Sequence, residues 1–178
     1  MTVYDTEFFA GRSETVTRSA AIVVPVLMDL FEPRSVLDVG CGQGEWVLTF
    51  LREGVEDVVG VDIAAPEELG LSRRDLTEPL TLDRQFDLVL CLETGEHLPE
   101  ESADTLVNTC ATNANHYVVF GAAVPGQAGK GHVNCQPPEW WHARFAAYGF
   151  EAQDLVRPLI RHPDVSPWYR ENTWALVR

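Results

Sequence analysis

The segment Asp38-Val-Gly-Cys-Gly-Gln-Gly44 constrains this chain more than any other. It follows the apolar run Ser35-Val-Leu-Asp-Val39 and precedes Glu45, where a helical pattern to Arg52 begins. Glycine reaches positive φ without a Cβ clash and lets another group approach the main chain closely. A buried strand that turns through three glycines into a helix is the opening unit of an α/β sheet. Taken alone, the turn also fits a tight packing corner that holds no ligand.

The rest of the chain repeats that alternation. Residues 1–12, with Phe8 and Phe9, read as an arm or lid, and Ser13-Glu14 opens a helix to about Leu30, ended near Pro33. Strands are expected at 35–39, 58–62, 86–92 and 116–120, with a weak one within 71–75 and a final pair at 150–158 and 173–178. Helices are expected at 45–52, from Pro99 with Glu100-Glu101 to about Asn113, and at 138–148. Such a sheet is largely parallel, and ligands lie beyond the carboxyl ends of its strands. Here that means residues 40–45, 62–66, 75–77, 91–98 and 121–136.

Length and charge narrow the reading. The chain has 178 residues, enough for about one domain: an arm and helix over 1–33, then an α/β core over 34–178. With 27 Asp and Glu against 13 Lys and Arg, the formal charge of −14 disfavours nucleic acid and anionic membrane as partners. The most apolar stretch, Ala20 to Leu30, is too short for a span and contains Pro25 and Asp29, so no membrane is expected. Cys41, Cys91, Cys110 and Cys135 form no CxxC pair and read as reduced thiols of a cytoplasmic protein.

Asp62 ends the second strand, 22 residues after Gly40, where a carboxylate can accept both hydrogen bonds of a ribose diol. A dinucleotide fingerprint needs GxGxxG, but Glu45 stands at its third glycine. The pattern is GxGxG with Asp38 two residues ahead, and in this the chain resembles the class I S-adenosylmethionine-dependent methyltransferases, among them a small single-domain bacterial subgroup. The resemblance runs on through Asp62, Asp75-Leu76 and Phe86-Asp-Leu-Val-Leu-Cys-Leu-Glu93. It implies a Rossmann-like, seven-stranded, mostly parallel sheet with an antiparallel last strand and helices on both faces. It also implies S-adenosyl-L-methionine as cofactor: Asp38, Gly40, Cys41, Gly42 and Gly44 at its methionine part, Asp62 at the ribose, and Asp75 and Leu76 at adenine. Trp46, Ile63, Leu92 and Glu93 complete those contacts. Only residues 63–70 separate the second and third strands, and Pro66 interrupts them, so the usual helix there is expected to be reduced or absent.

The segment Glu93-Thr-Gly-Glu96-His97 places three titratable side chains at the end of the fourth strand. Beside a sulfonium, Glu96 and His97, joined by the later His132, are candidates for removing an acceptor proton; a structural cap for the following helix is the other reading. Glu93, Glu96, His97 and His132 also resemble the metal-binding set of small-RNA 3′-end 2′-O-methyltransferases, which implies a divalent cation that polarises an acceptor hydroxyl. The acidic charge weighs against RNA itself. The segment 122–138 is long for a connection and resembles the GxGHVNxQ loop of the bacterial subgroup, with His132, Asn134 and Gln136 alternating. Arg157, Arg161 and Arg170 flank the last connection and could hold an anionic acceptor, or pair with Asp154, Asp164 and Glu171.

The expected activity is therefore methyl transfer to oxygen or nitrogen of a small molecule. The alternatives are an inactive cofactor-binding accessory protein, a metal-assisted O-methyltransferase and an NAD(H) oxidoreductase. The last is disfavoured by Glu45 and by the antiparallel terminal strands.

Overall fold

The computed structural model describes the backbone of residues 6–178 and the side chains from residue 14 onward, Glu68 excepted. Period-two alternation along the strands sends side chains to two separate cores. Leu37, Val39, Val89, Cys91, Val118 and Phe120 enter one, packed against Leu106, Trp141 and Phe145. Val36, Leu88, Leu90, Leu92 and Val119 enter the other, against Val23, Leu27, Phe50, Ile160 and Tyr169. A strand covered on both faces reads as an unbroken apolar run, which is why Phe86–Leu92 is buried along nearly its whole length.

In chain order the elements are α1 (Thr6–Phe31), β1 (Ser35–Val39), α2 (Glu45–Arg52), β2 (Asp57–Asp62), β3 (Ser72–Arg73), β4 (Phe86–Leu92), α3 (Ala103–Asn113), β5 (Ala114–Gly121), α4 (Pro138–Ala146), β6 (Glu151–Gln153), α5 (Pro167–Asn172) and β7 (Trp174–Val177). The seven-stranded sheet runs β3-β2-β1-β4-β5-β7-β6. Pairings from β3 to β5 are parallel. β7 runs antiparallel to both β5 and β6. β1 lies between β2 and β4, so the strand order reverses beside it, and a crevice opens there at the carboxyl edge.

The elements depart from the sequence reading chiefly at α1, β6 and α5. α1 begins at Thr6 rather than Ser13; a capping pair marks where a helix can start, and no proline stands before Pro25 to force the start at Ser13. The proposed arm over 1–12 thus partly joins α1, and residues 1–5 lie outside the described residues. β3 is two residues long and β6 stops at Gln153, where Asp154 pairs with Arg157 three residues on and turns the chain. α5 replaces what reads as an irregular connection; its signal is Ser166-Pro167, with proline at the first helical position. Between β2 and β3 a single 3₁₀ turn, Glu67–Leu69, stands in place of a full helix, as the short, proline-interrupted connection led us to expect.

Candidate functional site

Parallel pairing brings the ends of β1, β2 and β4 to one edge, and the loops leaving them line a cavity of about 640 Å³. The glycine turn forms one wall. Gly40 has φ 86°, and a Cβ there would stand 2.1 Å from Thr94 Oγ1, so only glycine fits between β1 and the segment after β4. The Gly40 amide bonds Val61 O at 2.8 Å, pinning the turn to β2. Gly44, also left-handed, caps α2.

Beneath the turn lies Asp38. It is 1% exposed, and its Oδ2 has no hydrogen-bond partner. Burial, reinforced by Asp62 and Glu45, pushes its carboxyl well above the usual range. Asp62 sits at the cavity wall and accepts hydrogen bonds from the Gly42 amide at 3.0 Å and the Ala64 amide at 2.7 Å. Burial raises its pKa, partly offset by those two amides. Asp75 is exposed, and both the amide and the hydroxyl of Thr77 donate to it, which lowers its pKa. Gly40, Cys41, Gly42, Trp46, Asp62, Ile63, Asp75, Leu76, Leu92 and Glu93 all line the cavity; Asp38 and Gly44 stand behind its wall.

At the end of β4 the chain folds sharply. Glu93 has φ 52°, a left-handed conformation that costs a side-chain-bearing residue ~1 kcal/mol. Its amide donates to Gly121 O at 2.7 Å, which holds the turn against β5. Glu93 Oε2 accepts from Gln127 Nε2 at 3.3 Å and Oε1 from Asn172 Nδ2 at 3.2 Å. Asn172 also donates to Gln127 Oε1 at 3.0 Å. This triangle joins β4, the 122–137 loop and α5. Gln127 and Asn172 escape sequence reading because nothing in their local context marks them.

Glu96 is fully buried. The amides of Glu96 and Ala123 and the Glu93 carboxyl lie near it, yet neither oxygen makes a well-formed hydrogen bond. Burial, with the Glu93 charge next, pushes its carboxyl well above the usual range. His97 Nδ1 lies 3.3 Å from Gly131 O, and His132 Nδ1 3.2 Å from Gln127 O. A carbonyl only accepts, so each Nδ1 carries the hydrogen and each Nε2 is the basic nitrogen. The two rings meet edge to face at 5.0 Å. A Cβ at residue 129 would lie 2.1 Å from His132 Nε2, so glycine there makes room for the ring.

Ligand atoms of Glu96, His97 and His132 lie within 4.8 Å of one another, a spacing that suits one cation. Glu93, the fourth member of the expected set, is not in that group; it faces the two carboxamides. Tyr169 is buried edge-on to Trp46 at 5.1 Å, and with Trp168 it forms the wall contributed by α5. Arg157, Arg161 and Arg170 gather instead around a separate concavity of about 490 Å³ with Asp154 and Glu171.

Residues 13–155 match a family model described as a methyltransferase domain. Protein arginine N-methyltransferase 1 of Saccharomyces cerevisiae is 24% identical over 163 residues, which cover 81% of this chain and 46% of that protein. The chain spans less than half the length of the curated relatives it matches. The sugar N-methyltransferase KedS8 from Streptoalloteichus sp. ATCC 53650 shares the fold, with TM-score 0.67 and 20% identity, covering 100% of this chain and 96% of that one. So does the magnesium protoporphyrin IX methyltransferase ChlM from Synechocystis PCC 6803, solved with bound SAM, with TM-score 0.64 and 20% identity over 93% of this chain and 80% of that one. Because the family model spans most of its length, the chain belongs to the methyltransferase domain family, and its sheet order with antiparallel terminal strands is that of the class I fold.

Proposed function

We propose that this protein transfers a methyl group from S-adenosyl-L-methionine to nitrogen or oxygen of a small molecule. The observation that carries the reading is Asp38 Oδ2, buried without a hydrogen-bond partner under a glycine turn that no Cβ could enter. A buried carboxylate oxygen with nothing to accept from is costly, and a ligand that brings an N–H donor to this place removes the cost. Gly40 to Gly44 hold the methionine part from the backbone, Asp62 the ribose diol, and Asp75 with Leu76 the adenine, while Trp46, Ile63, Leu92 and Glu93 close the contacts. When bound, the cofactor supplies an electrophilic methyl carbon on a positively charged sulfonium.

The chain's own residues then align and deprotonate the acceptor. His97 and His132 present Nε2 as base, their rings fixed through Nδ1, and Glu96 lies beside them. Four free cysteines and the lack, among the described residues, of a helix long and apolar enough to cross a membrane fit work in a reducing compartment such as the cytoplasm. A second reading places a divalent cation on Glu96, His97 and His132, favoured by their convergence within 4.8 Å. Such a cation would lower the pKa of an acceptor hydroxyl; turnover that survives a chelator unchanged removes this reading.

Calorimetric titration with S-adenosylmethionine and with NADH tests the main proposal. Binding of the first and not the second is expected, and Asp62→Ala weakens it by at least ~10-fold. Binding of NADH alone overturns it.

A further inference from the structure

We propose that the concavity beside α5 binds phosphate, free or as the monoester of a small molecule, between Arg157, Arg161 and Arg170. The site is separate from the reaction cavity and independent of the methyl-transfer reading above.

The chain carries 27 Asp and Glu against 13 Lys and Arg, yet three of its arginines meet in one concavity of about 490 Å³. That volume falls in the range of small-molecule sites. Asp154 and Glu171 line it as well. Asp154 is committed to Arg157, whose Nε donates to its Oδ1 at 2.8 Å. No second ion pair joins the lining residues, and among the described residues Arg161 makes no hydrogen bond. Arg170 makes a single long one, from Nη1 to His162 O at 3.4 Å. Two guanidinium charges thus stand unpaired beside one unpaired carboxylate, that of Glu171. Cations held together repel one another, and an anion between them removes that cost.

Arg157 is fixed in advance. Its guanidinium lies over the Trp174 ring at 3.7 Å, and its Nη1 donates to Glu171 O at 3.2 Å. Its side chain is only 24% exposed, so little further freedom is lost when it meets a ligand. Arg157 and Arg161 stand on the connection between β6 and α5, and Arg170 on α5 itself. A ligand there is gripped from two segments. One guanidinium fork is enough for a carboxylate, whereas a phosphate monoester brings a charge near −2 and three acceptor oxygens. That demand matches two unpaired guanidinium groups with a third beside them. The whole-molecule charge of −14 repels anions, so any attraction comes from this local group. The site shares α5 with the reaction cavity: Arg170 and Glu171 line the one, Trp168 and Tyr169 the other.

Phenyl phosphate, inorganic phosphate and benzoate are titrated by calorimetry at low ionic strength into wild type, Arg161→Gln and Arg170→Gln. Arg52→Gln, at an exposed arginine of α2 outside the concavity, serves as the control for net charge. Phenyl phosphate is expected to bind at least ~10-fold more tightly than benzoate. Arg161→Gln and Arg170→Gln are each expected to weaken it at least ~5-fold, and Arg52→Gln to leave it unchanged. Hydrogen exchange is expected to slow within 154–172 when phenyl phosphate binds. Inorganic phosphate that binds as tightly supports the site with the free ion as its ligand; weaker binding supports the monoester. Absence of binding, benzoate bound equally well, affinity untouched by Arg161→Gln, an equal loss in Arg52→Gln, or protection confined to the reaction cavity overturns the proposal. Should Arg170→Gln lower the melting temperature, Arg161→Gln, at an exposed residue without a hydrogen bond, decides alone.

Discussion

Asp38 sets stability against function within one side chain. Its folded pKa is raised above the unfolded value of about 3.9, so the native state binds more protons than the unfolded one as pH climbs from there. The sign follows directly: Asp38 makes the ligand-free protein less stable as pH rises. Asp38→Asn is expected to raise ligand-free stability by ~1 kcal/mol at neutral pH and to flatten its decline as pH rises above about 4, read by urea melts. The same variant loses cofactor affinity by ~10-fold or more, read by calorimetry. Gly129 shows the opposite balance. The three atoms nearest to a Cβ there all belong to the His132 ring, so Gly129→Ala is expected to keep melting temperature and cofactor affinity while kcat falls ~10-fold as the imidazole is displaced. Where Gly40, Gly42, Gly44, Asp38 and Asp62 fall, at the ends of β1 and β2, was legible beforehand because strand, turn and helix are local. The His132 tautomer was not legible, since it depends on the Gln127 carbonyl that the loop happens to present.

α5 and the 122–137 loop are the elements that complete the cavity, and they meet through Asn172. The loop is fastened to the end of β4 by the Val133 and Asn134 amides, which donate to Glu96 O at 2.8 and 3.1 Å. It is fastened to α5 by the carboxamides of Gln127 and Asn172. Asn172→Ala removes two hydrogen bonds from a residue only 4% exposed, at a cost of ~1–3 kcal/mol. The expected result is faster proteolytic cleavage within 124–131 and an acceptor KM raised several-fold, with cofactor affinity little changed. Limited digestion and initial-rate kinetics check it. The long elements were readable: β4 and α2 have the bounds their patterns predict, because each is a strong run with clear ends. α5 is six residues long, and its Ser166-Pro167 start carries less weight than the prolines around it, so it reads as loop.

The whole molecule is a strongly acidic body, and the cavity at the carboxyl edge of its sheet is itself lined by carboxyl residues. A net charge of −14 repels itself, and salt relieves that repulsion. Raising ionic strength from low to physiological is expected to raise the melting temperature of the ligand-free protein, measured by calorimetric scans. A melting temperature that falls with salt would show that local ion pairs, such as Asp57 with Arg84, outweigh the overall repulsion. The antiparallel end of the sheet was an expectation of the family resemblance; the chain by itself determined the α/β class, the carboxyl edge at which the cavity opens and the shortened β2–β3 connection. Each rests on local patterns: period, turn residues and the length available between strands. Only the tertiary structure decided which polar side chains converge. Glu93 stays outside the group formed by Glu96, His97 and His132, its oxygens held by Gln127 and Asn172, 34 and 79 residues further on. The arginines of the last connection collect outside the cavity because Asp154 and Trp174 hold Arg157 there. Side-chain partnership across distant segments has no signature in local order, since it is set by how the two faces of the sheet are covered.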